Sequence, residues 1–181
     1  ADPTDTNYFY TEYINLGLQR STNGGTSASY IYCNPAPTNP NGGPCVAPAV
    51  GITDAFNGAN FIAPFILDPN EPNRLLAGGT SLWRSNDINA AGLPTRAAIK
   101  GSILSPISAI AVDQGNSNSI VVGDLNGRIF LTQDGTALLP NWGMGIDVGT
   151  PARYVTRIAI DETRLTPWIY ASFGGFSSDK V

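Results

Sequence analysis

A short apolar run that ends in aspartate occurs three times in this chain of 181 residues. The complete copies are Phe65-Ile66-Leu67-Asp68, Ile110-Ala111-Val112-Asp113 and Ile158-Ala159-Ile160-Asp161, and Ala1-Asp2 is a truncated copy. A turn of the form Ser/Thr-x-Asn/Asp, here called a box turn, follows each of the first three aspartates after 17 or 19 residues. The box turns are Ser21-Thr22-Asn23, Ser85-Asn86-Asp87 and Thr132-Gln133-Asp134. A repeat of this length indicates similar supersecondary units, none of which can bury its apolar face alone.

Segments typical of β-strands lie at matching offsets in each copy. Apolar runs such as Leu75-Leu76-Ala77 and Ile120-Val121-Val122 follow the aspartates, and runs such as Leu82-Trp83-Arg84 lead directly into the box turns. The runs are bounded by Gly, Asn, Asp and Pro, and no stretch has a helical period. Four antiparallel strands in about 40 to 50 residues is the size of a propeller blade. We therefore predict an all-β fold, a β-propeller of four-stranded antiparallel blades.

The copies divide the chain into successive blades of one propeller domain. The predicted units are a blade that lacks its first strand and carries a loop insertion, two complete blades, and a partial blade, at residues 1–59, 60–104, 105–152 and 153–181. A closed propeller has roughly four to eight blades. We therefore expect an incomplete portion of a larger propeller, whose partners are other blades of a longer chain or further subunits.

Composition excludes several classes of function. Only 13% of residues are charged, the net charge is -4, and no basic cluster is present, so we expect no binding to nucleic acid. The apolar stretches are shorter than the roughly 20 residues that cross a bilayer, so we expect no membrane insertion. Scarce lysine and a low pI favour an exported protein that is extracellular or at the cell surface, with the periplasm as an alternative.

The two cysteines enclose a segment rich in proline and glycine. Cys33 and Cys45 are the only cysteines, and we predict that they form a disulfide that pins a surface loop. The chain contains no histidine, which excludes Ser-His-Asp, Cys-His and His-metal chemistry within it. We therefore expect no metal site and no cofactor.

The box turns resemble the Asp-box, Ser/Thr-x-Asp-x-Gly-x-x-Trp, of the bacterial neuraminidase repeat. This repeat occurs in β-propellers of sialidases, sortilin-like receptors, xyloglucan-degrading endoglucanases and photosystem II stability factors. No box here is complete: Asn23 replaces the aspartate, Ala28 replaces the tryptophan, Asn89 and Thr136 replace glycines, and Trp142 comes too late to be the box tryptophan. The resemblance implies a structural role, at the blade periphery, for Ser21, Asn23, Gly25, Ser85, Asp87, Thr132 and Asp134.

The same resemblance indicates where a site would lie. In such propellers the hairpin between the second and third strands and the connection to the next blade open on one face, which would carry Glu12, Asp54, Asp124 and the cysteine loop. These three acids are the candidate catalytic or ligand-binding residues, since paired carboxylates can hydrolyse glycosides. Asp124 also fits an ordinary Asn-Gly hairpin turn without any ligand. The segment Phe61-Ile62-Ala63-Pro64 lacks the arginine of the sialidase Phe-Arg-Ile-Pro motif, which disfavours a sialidase.

Aromatic and arginine side chains near the strands have a structural interpretation as well. Exposed rings can bind sugars, but we expect the rings at strand positions to pack in the core. The aromatic residues are dense at Tyr8, Phe9, Tyr10 and Tyr13 and again at Tyr30 and Tyr32, and the core expectation concerns those of them at strand positions, such as Phe9 and Tyr10. Arg20 and Arg84 directly precede box serines, so we expect them to pack at blade edges.

Three functions remain open. The preferred prediction is a non-enzymatic binding or structural propeller module with a protein or carbohydrate ligand. The first alternative is an endoglucanase-like glycoside hydrolase with paired carboxylates, although no equivalent of the endoglucanase catalytic aspartate motif is found. The second is an assembly factor that binds a protein partner.

Overall fold

The computed structural model describes residues 1–34, 43–44, 51–55, 57–147, 153–161, 163 and 168–175. This part of the chain consists of β-strands, turns and loops and contains no helix, so no helix in it is long and apolar enough to cross a membrane. The predicted all-β fold is therefore confirmed.

The first sheet has three antiparallel strands in the order of the chain: β1 (Phe9–Glu12), β2 (Leu18–Ser21) and β3 (Ser29–Tyr30). A short parallel pair follows, formed by β4 (Cys33–Asn34) and β5 (Gly43–Pro44). The predicted disulfide lies outside the described residues, because the structure describes neither Cys45 nor the side chain of Cys33.

The second and third sheets are four-stranded antiparallel meanders. The second sheet contains β6 (Phe65–Asp68), β7 (Glu71–Gly78), β8 (Leu82–Ser85) and β9 (Ala97–Lys100). The third contains β10 (Ile107–Asp113), β11 (Asn116–Asp124), β12 (Arg128–Thr132) and β13 (Ile146–Asp147). In the fourth sheet, β14 (Val155–Asp161) pairs with β15 (Trp168–Phe173). The sheets are blades of a β-propeller, as predicted.

The core consists of successive apolar layers between neighbouring sheets. Leu75 and Ala77 of β7 pack in the layer shared with the first sheet, whereas Leu76 packs in the layer shared with the third. Neighbouring side chains of a strand point to opposite faces of the sheet, and both faces of β7 are covered by another sheet. All three of these positions in β7 are therefore apolar. In β11, Val121 faces the fourth sheet and Val122 faces the second, for the same reason.

Glycine sets how closely one sheet approaches the next. Gly78 ends β7, and a Cβ atom there would lie 2.8 Å from Cγ2 of Ile107, the first residue of β10. Gly123 has the equivalent place in β11, where a Cβ atom would lie 2.5 Å from Cβ of Val155, the first residue of β14. The first strand of each of these blades therefore begins directly on a glycine of the preceding blade.

Arginine side chains join neighbouring sheets at the box turns. The guanidinium of Arg20 donates hydrogen bonds to the carbonyl oxygens of Ile88 and Gly92, the second at 3.1 Å. Arg84 donates equivalent bonds to Gly135 and to Ala137, the second at 2.9 Å. Both arginines are largely buried, and each binds the next box turn.

The aromatic residues divide between core and surface. Tyr32 is fully buried, while Tyr10 and Tyr30 are partly buried against the layer between the first two sheets. Phe9, at a strand position, is exposed, so the core expectation is wrong for it. Tyr13 is also exposed and lies one residue beyond the end of β1.

Candidate functional site

Glu12 lies at the end of β1 and braces the loop that leads to the second sheet. Its carboxylate accepts hydrogen bonds from the backbone N–H groups of Leu16, at 2.9 Å, and Ala63, at 3.1 Å. Leu16 belongs to the β1–β2 turn, and Ala63 precedes β6. The side chain therefore ties the first sheet to the second.

Asp54 comes from the insertion of the first unit and contacts the β7–β8 turn. Its Oδ2 atom accepts hydrogen bonds from the backbone N–H of Ser81, at 2.7 Å, and from Nε1 of Trp83, at 3.0 Å. A Cβ atom at Gly79 would lie 2.6 Å from the same oxygen. The carboxylate is thus packed against a turn that only glycine can form at this distance.

Asp124 ends β11 and is fully buried, with a relative exposure of 0%. Its Oδ1 atom accepts hydrogen bonds from the backbone N–H groups of Asn126, at 3.0 Å, and Arg128, at 2.9 Å. Its Oδ2 atom forms an ion pair with the Arg128 guanidinium at 2.6 Å. Gly127 has a φ of 81°, which completes the Asn-Gly turn. The carboxylate stabilises its own hairpin.

Each of the three acids lies beside a hairpin turn: Glu12 and Asp124 are at the ends of β1 and β11, and Asp54 reaches the β7–β8 turn from the insertion. These turns and the connectors at residues 57–64 and 101–106 form one surface, here called the hairpin face. Hydrogen bonds link its parts: the Asn15 N–H donates to the Phe61 carbonyl, and Nδ2 of Asn60 donates to the Ile107 carbonyl, each at 3.0 Å. The structure therefore brings the candidate acids to one face, but each carboxylate is directed at backbone N–H groups.

The hairpin face also carries large apolar side chains that sequence reasoning did not select. Tyr13, Phe61, Ile62 and Leu104 are 63, 67, 69 and 91% exposed. Phe61 and Ile62 lie in a connector between an asparagine and a proline, outside any strand. An apolar pair in such a connector is the sequence signal that could have indicated an exposed contact surface. Leu104 has a positive φ of 61°, which is unusual for a residue with a branched side chain.

The box turns share one pattern of hydrogen bonds. Oδ1 of Asn23 accepts from the Ser21 hydroxyl, at 2.9 Å, and from the Ser27 N–H, at 3.0 Å. Asp87 and Asp134 accept corresponding bonds, from Ser85 and Thr132 and from the N–H groups of Thr95 and Asn141. The Thr132 hydroxyl and, further, the Asn141 amide hold the pKa of Asp134 below its usual value. In the first turn the Gly25 N–H also donates to Oγ of Ser21, at 2.9 Å.

In the structure, Trp142 lies directly after the residue whose N–H closes the third box turn, a place that its spacing from Asp134 does not predict. The N–H that closes the box lies four residues after Asn23, eight after Asp87 and seven after Asp134, because the second and third turns are longer. The next residues are therefore equivalent, and they are Ala28, Arg96 and Trp142. Insertions within the second and third turns move Arg96 and Trp142 further along the sequence than Ala28, but the three residues keep the same place in the fold.

Two of these residues make the same contact with the preceding sheet. Nε1 of Trp142 donates a hydrogen bond to the Ile99 carbonyl at 2.8 Å. The Arg96 guanidinium bonds the Ile31 carbonyl in the same way. Ser29 pairs with Arg20 and Ala97 pairs with Arg84, so Ile31 and Ile99 are equivalent positions of their sheets.

Electrostatics at the junctions follow from burial. Burial lowers the pKa of Arg96 to about 10, and it raises the pKa of Tyr32 to about 12. Burial alone would raise the pKa of Asp2, but hydrogen bonds from Thr4 and Asn89 hold it below its usual value. Within the described ranges, no group of three His, Cys, Asp or Glu side chains could hold a metal ion.

Comparison with protein families and with curated proteins gave no match. Among solved structures, the chain is similar to an ancestral GH74 enzyme, with a TM-score of 0.58 and 19% sequence identity. The match covers 89% of this chain and 19% of the enzyme, so the chain spans about a fifth of that enzyme's length. With its antiparallel sheets and this likeness, the chain has a β-propeller fold.

Proposed function

We propose that this chain is part of a non-enzymatic binding module, exported from the cell, that uses the hairpin face as its contact surface. The observation that carries the proposal is the engagement of Glu12, Asp54 and Asp124 with backbone N–H groups. A general acid or nucleophile must reach a substrate atom, whereas these carboxylates accept hydrogen bonds from the turns and connectors of the hairpin face. The face is therefore built for rigidity.

The exposed side chains of the hairpin face indicate the chemistry of the partner. Phe61 and Ile62 are adjacent, and Leu104 projects from the next connector. Contiguous exposed apolar side chains mark protein interaction sites, and aliphatic side chains offer little to a sugar ring. The expected partner is a protein segment with apolar side chains, and an assembly factor would be one module of this kind.

Selection of displayed peptides tests this proposal. A library of random 12-residue peptides on phage is screened against the immobilised chain, and enriched peptides are then titrated against Phe61→Ser and Met144→Ser variants. Met144 is exposed between the third box turn and β13, away from the hairpin face, so its replacement is the matched control. We expect apolar peptides that lose binding only to Phe61→Ser. Peptides that bind both variants equally would contradict the hairpin face as the contact surface.

The likeness to the ancestral GH74 enzyme favours a second candidate, a glycoside hydrolase. Such an enzyme needs two carboxyl groups about 5 to 9.5 Å apart across a cleft. The test measures release of reducing ends from xyloglucan and other β-glucans by the full-length protein, with Glu12→Gln, Asp54→Asn and Asp124→Asn variants. Activity that one replacement abolishes without loss of folding, monitored by circular dichroism, would establish the hydrolase and overturn the non-enzymatic proposal.

A further inference from the structure

A pocket of about 390 Å³ opens at the opposite end of the strands from the hairpin face. It lies between the box turn of the first sheet and the loop of the second box turn. Its lining includes Arg20, Ser27, Ser29, Tyr30, Gly92 and Leu93. The volume falls in the lower range of small-molecule sites.

Arg20 gives this pocket a positive charge, and among the described residues no carboxylate forms an ion pair with it. Its guanidinium donates hydrogen bonds to the neutral carbonyls of Ile88 and Gly92. Arg96, buried at the same junction, also bonds carbonyl oxygens. The carboxylate of Asp87 is near Arg96, but its Oδ1 atom accepts the bonds that close the box turn. An anion is the group that such a junction would attract.

Hydroxyl groups and apolar surface complete the lining. Ser29 pairs with Arg20 in the register of β2 and β3, so their side chains are neighbours on the sheet. Thr22 and Ser27 add hydroxyls from the box turn, and Leu93 adds an apolar wall. A guanidinium beside hydroxyls and a small apolar surface suits a carboxylate carried on a hydroxylated ring.

We propose that this pocket binds the uronate unit of an acidic saccharide, with the carboxylate near Arg20 and the ring hydroxyls near Ser27 and Ser29. The site is independent of the proposed function, because it lies at the other end of the strands. It would let the module contact an acidic polysaccharide while the hairpin face holds a protein.

Titration followed by ¹⁵N–¹H NMR tests the site with glucuronate as the probe and with glucose and sulfate as comparison ligands. The matched variants are Ser29→Glu and Ser29→Gln, which differ only in charge. The introduced Glu places a carboxylate beside Arg20, so we expect it to weaken glucuronate binding at least about tenfold relative to Gln. Ser102→Glu, on an exposed connector, is the control for net charge.

The expected result is a saturable shift of the amides of Ser29 and Gly92 with glucuronate, and weaker shifts with glucose and sulfate. Equal affinity for glucose would show that the charge of Arg20 plays no part. Equal affinity for sulfate would show an anion site without sugar recognition. Equal binding by the Glu and Gln variants, or unsaturable shifts with every ligand, would also overturn the proposal.

Discussion

The guanidinium of Arg96 donates a hydrogen bond to the carbonyl oxygen of Ile31, 2.5 Å away, across the junction of the first two sheets. The indole of Trp142 makes the equivalent contact with Ile99 across the next junction. An arginine and a tryptophan thus share one structural role, because both present an N–H group at the end of a large planar side chain. The arginine brings a charge into the junction, and in the part of the chain that the structure describes its Nε atom has no hydrogen-bond partner.

We predict that Arg96→Trp stabilises the protein. The indole can donate to Ile31 as Trp142 donates to Ile99, and the replacement removes a buried charge and an unsatisfied Nε group. A buried unsatisfied donor costs roughly 1 to 3 kcal/mol, so we expect the free energy of unfolding to rise by about 1 kcal/mol. Urea unfolding followed by fluorescence measures it, with Arg157→Trp on an exposed strand position as control. A lower unfolding free energy would contradict the equivalence of the two positions.

The buried hydroxyl of Tyr32 has no hydrogen-bond partner among the residues that the structure describes, whereas that of Tyr10 donates to Oδ1 of Asn89. We therefore expect Tyr32→Phe to preserve or raise stability, and Tyr10→Phe to lower it by about 1 kcal/mol at neutral pH. Chemical denaturation of the two variants gives the comparison. Similar losses in both would mean that the Tyr32 hydroxyl makes a stabilising contact.

Stability should also fall at alkaline pH partly through Tyr32. Burial raises its pKa from 10.0 to about 12, so the hydroxyl ionises first in the unfolded chain. The contribution of the neutral Tyr32 hydroxyl to the free energy of unfolding is fully present below pH 10. It is lost as the pH rises toward 12, because the folded state then binds more protons than the unfolded state. Tyr32→Phe should reduce this loss between pH 10 and 12, measured by urea midpoints. An unchanged pH profile would contradict the shift.

Replacement of Gly123 by alanine should separate the third and fourth sheets. The added methyl group would lie 2.5 Å from Cβ of Val155, a backbone-attached atom that cannot rotate away. Overpacking of this kind costs about 1 to 3 kcal/mol. Gly101→Ala, where nothing lies within 4 Å of the added Cβ, is the control, and thermal unfolding compares the two. Equal melting temperatures would show that the junction is loosely packed.

Asp124→Asn should be more harmful than the removal of an exposed charge. It removes the ion pair with Arg128, whose side chain is one-third exposed, because an amide NH2 group replaces Oδ2 and directs a donor at the guanidinium, while the amide oxygen can still accept the two backbone N–H bonds. We expect a loss of about 2 kcal/mol, below the range for fully buried pairs, because solvent screens the arginine. Glu71→Gln, at an exposed position, should change stability little. Denaturant unfolding at neutral pH compares the free energies of unfolding of the two variants. An unchanged value for Asp124→Asn would show that the stability of the hairpin does not depend on the charge of Asp124.

Much of the fold could be predicted because the signals are local. The apolar run before Asp113 forms β10, and Ser85 and Asp87 form a turn by contacts within a few residues. The bonds between sheets could not be predicted in the same way. Arg20 precedes a serine in the sequence, but its partner Ile88 lies 68 residues away.

The candidate site shows the same division. The resemblance was sufficient to place Glu12 and Asp124 near strand-connecting turns. It could not show that their oxygens accept hydrogen bonds from backbone N–H groups. The sequence of a loop is the same whether its acidic side chain faces solvent or bonds the backbone. The exposed Phe61 was missed because apolar residues are usually assigned to the core.

The close contacts at Gly78 and Gly123 lie at one end of the strands, and the box turns lie at the other. The step from one sheet to the next is set where strand beginnings meet glycine, while the box turns at the other end differ in length by three or four residues. The first part of each of these turns is nevertheless fixed at a junction, because Arg20 binds the carbonyl groups of Ile88 and Gly92 and Arg84 binds those of Gly135 and Ala137. A new recognition loop would therefore have to be grafted beyond these carbonyl groups, after Gly92 or after Ala137, to leave the contacts between blades in place.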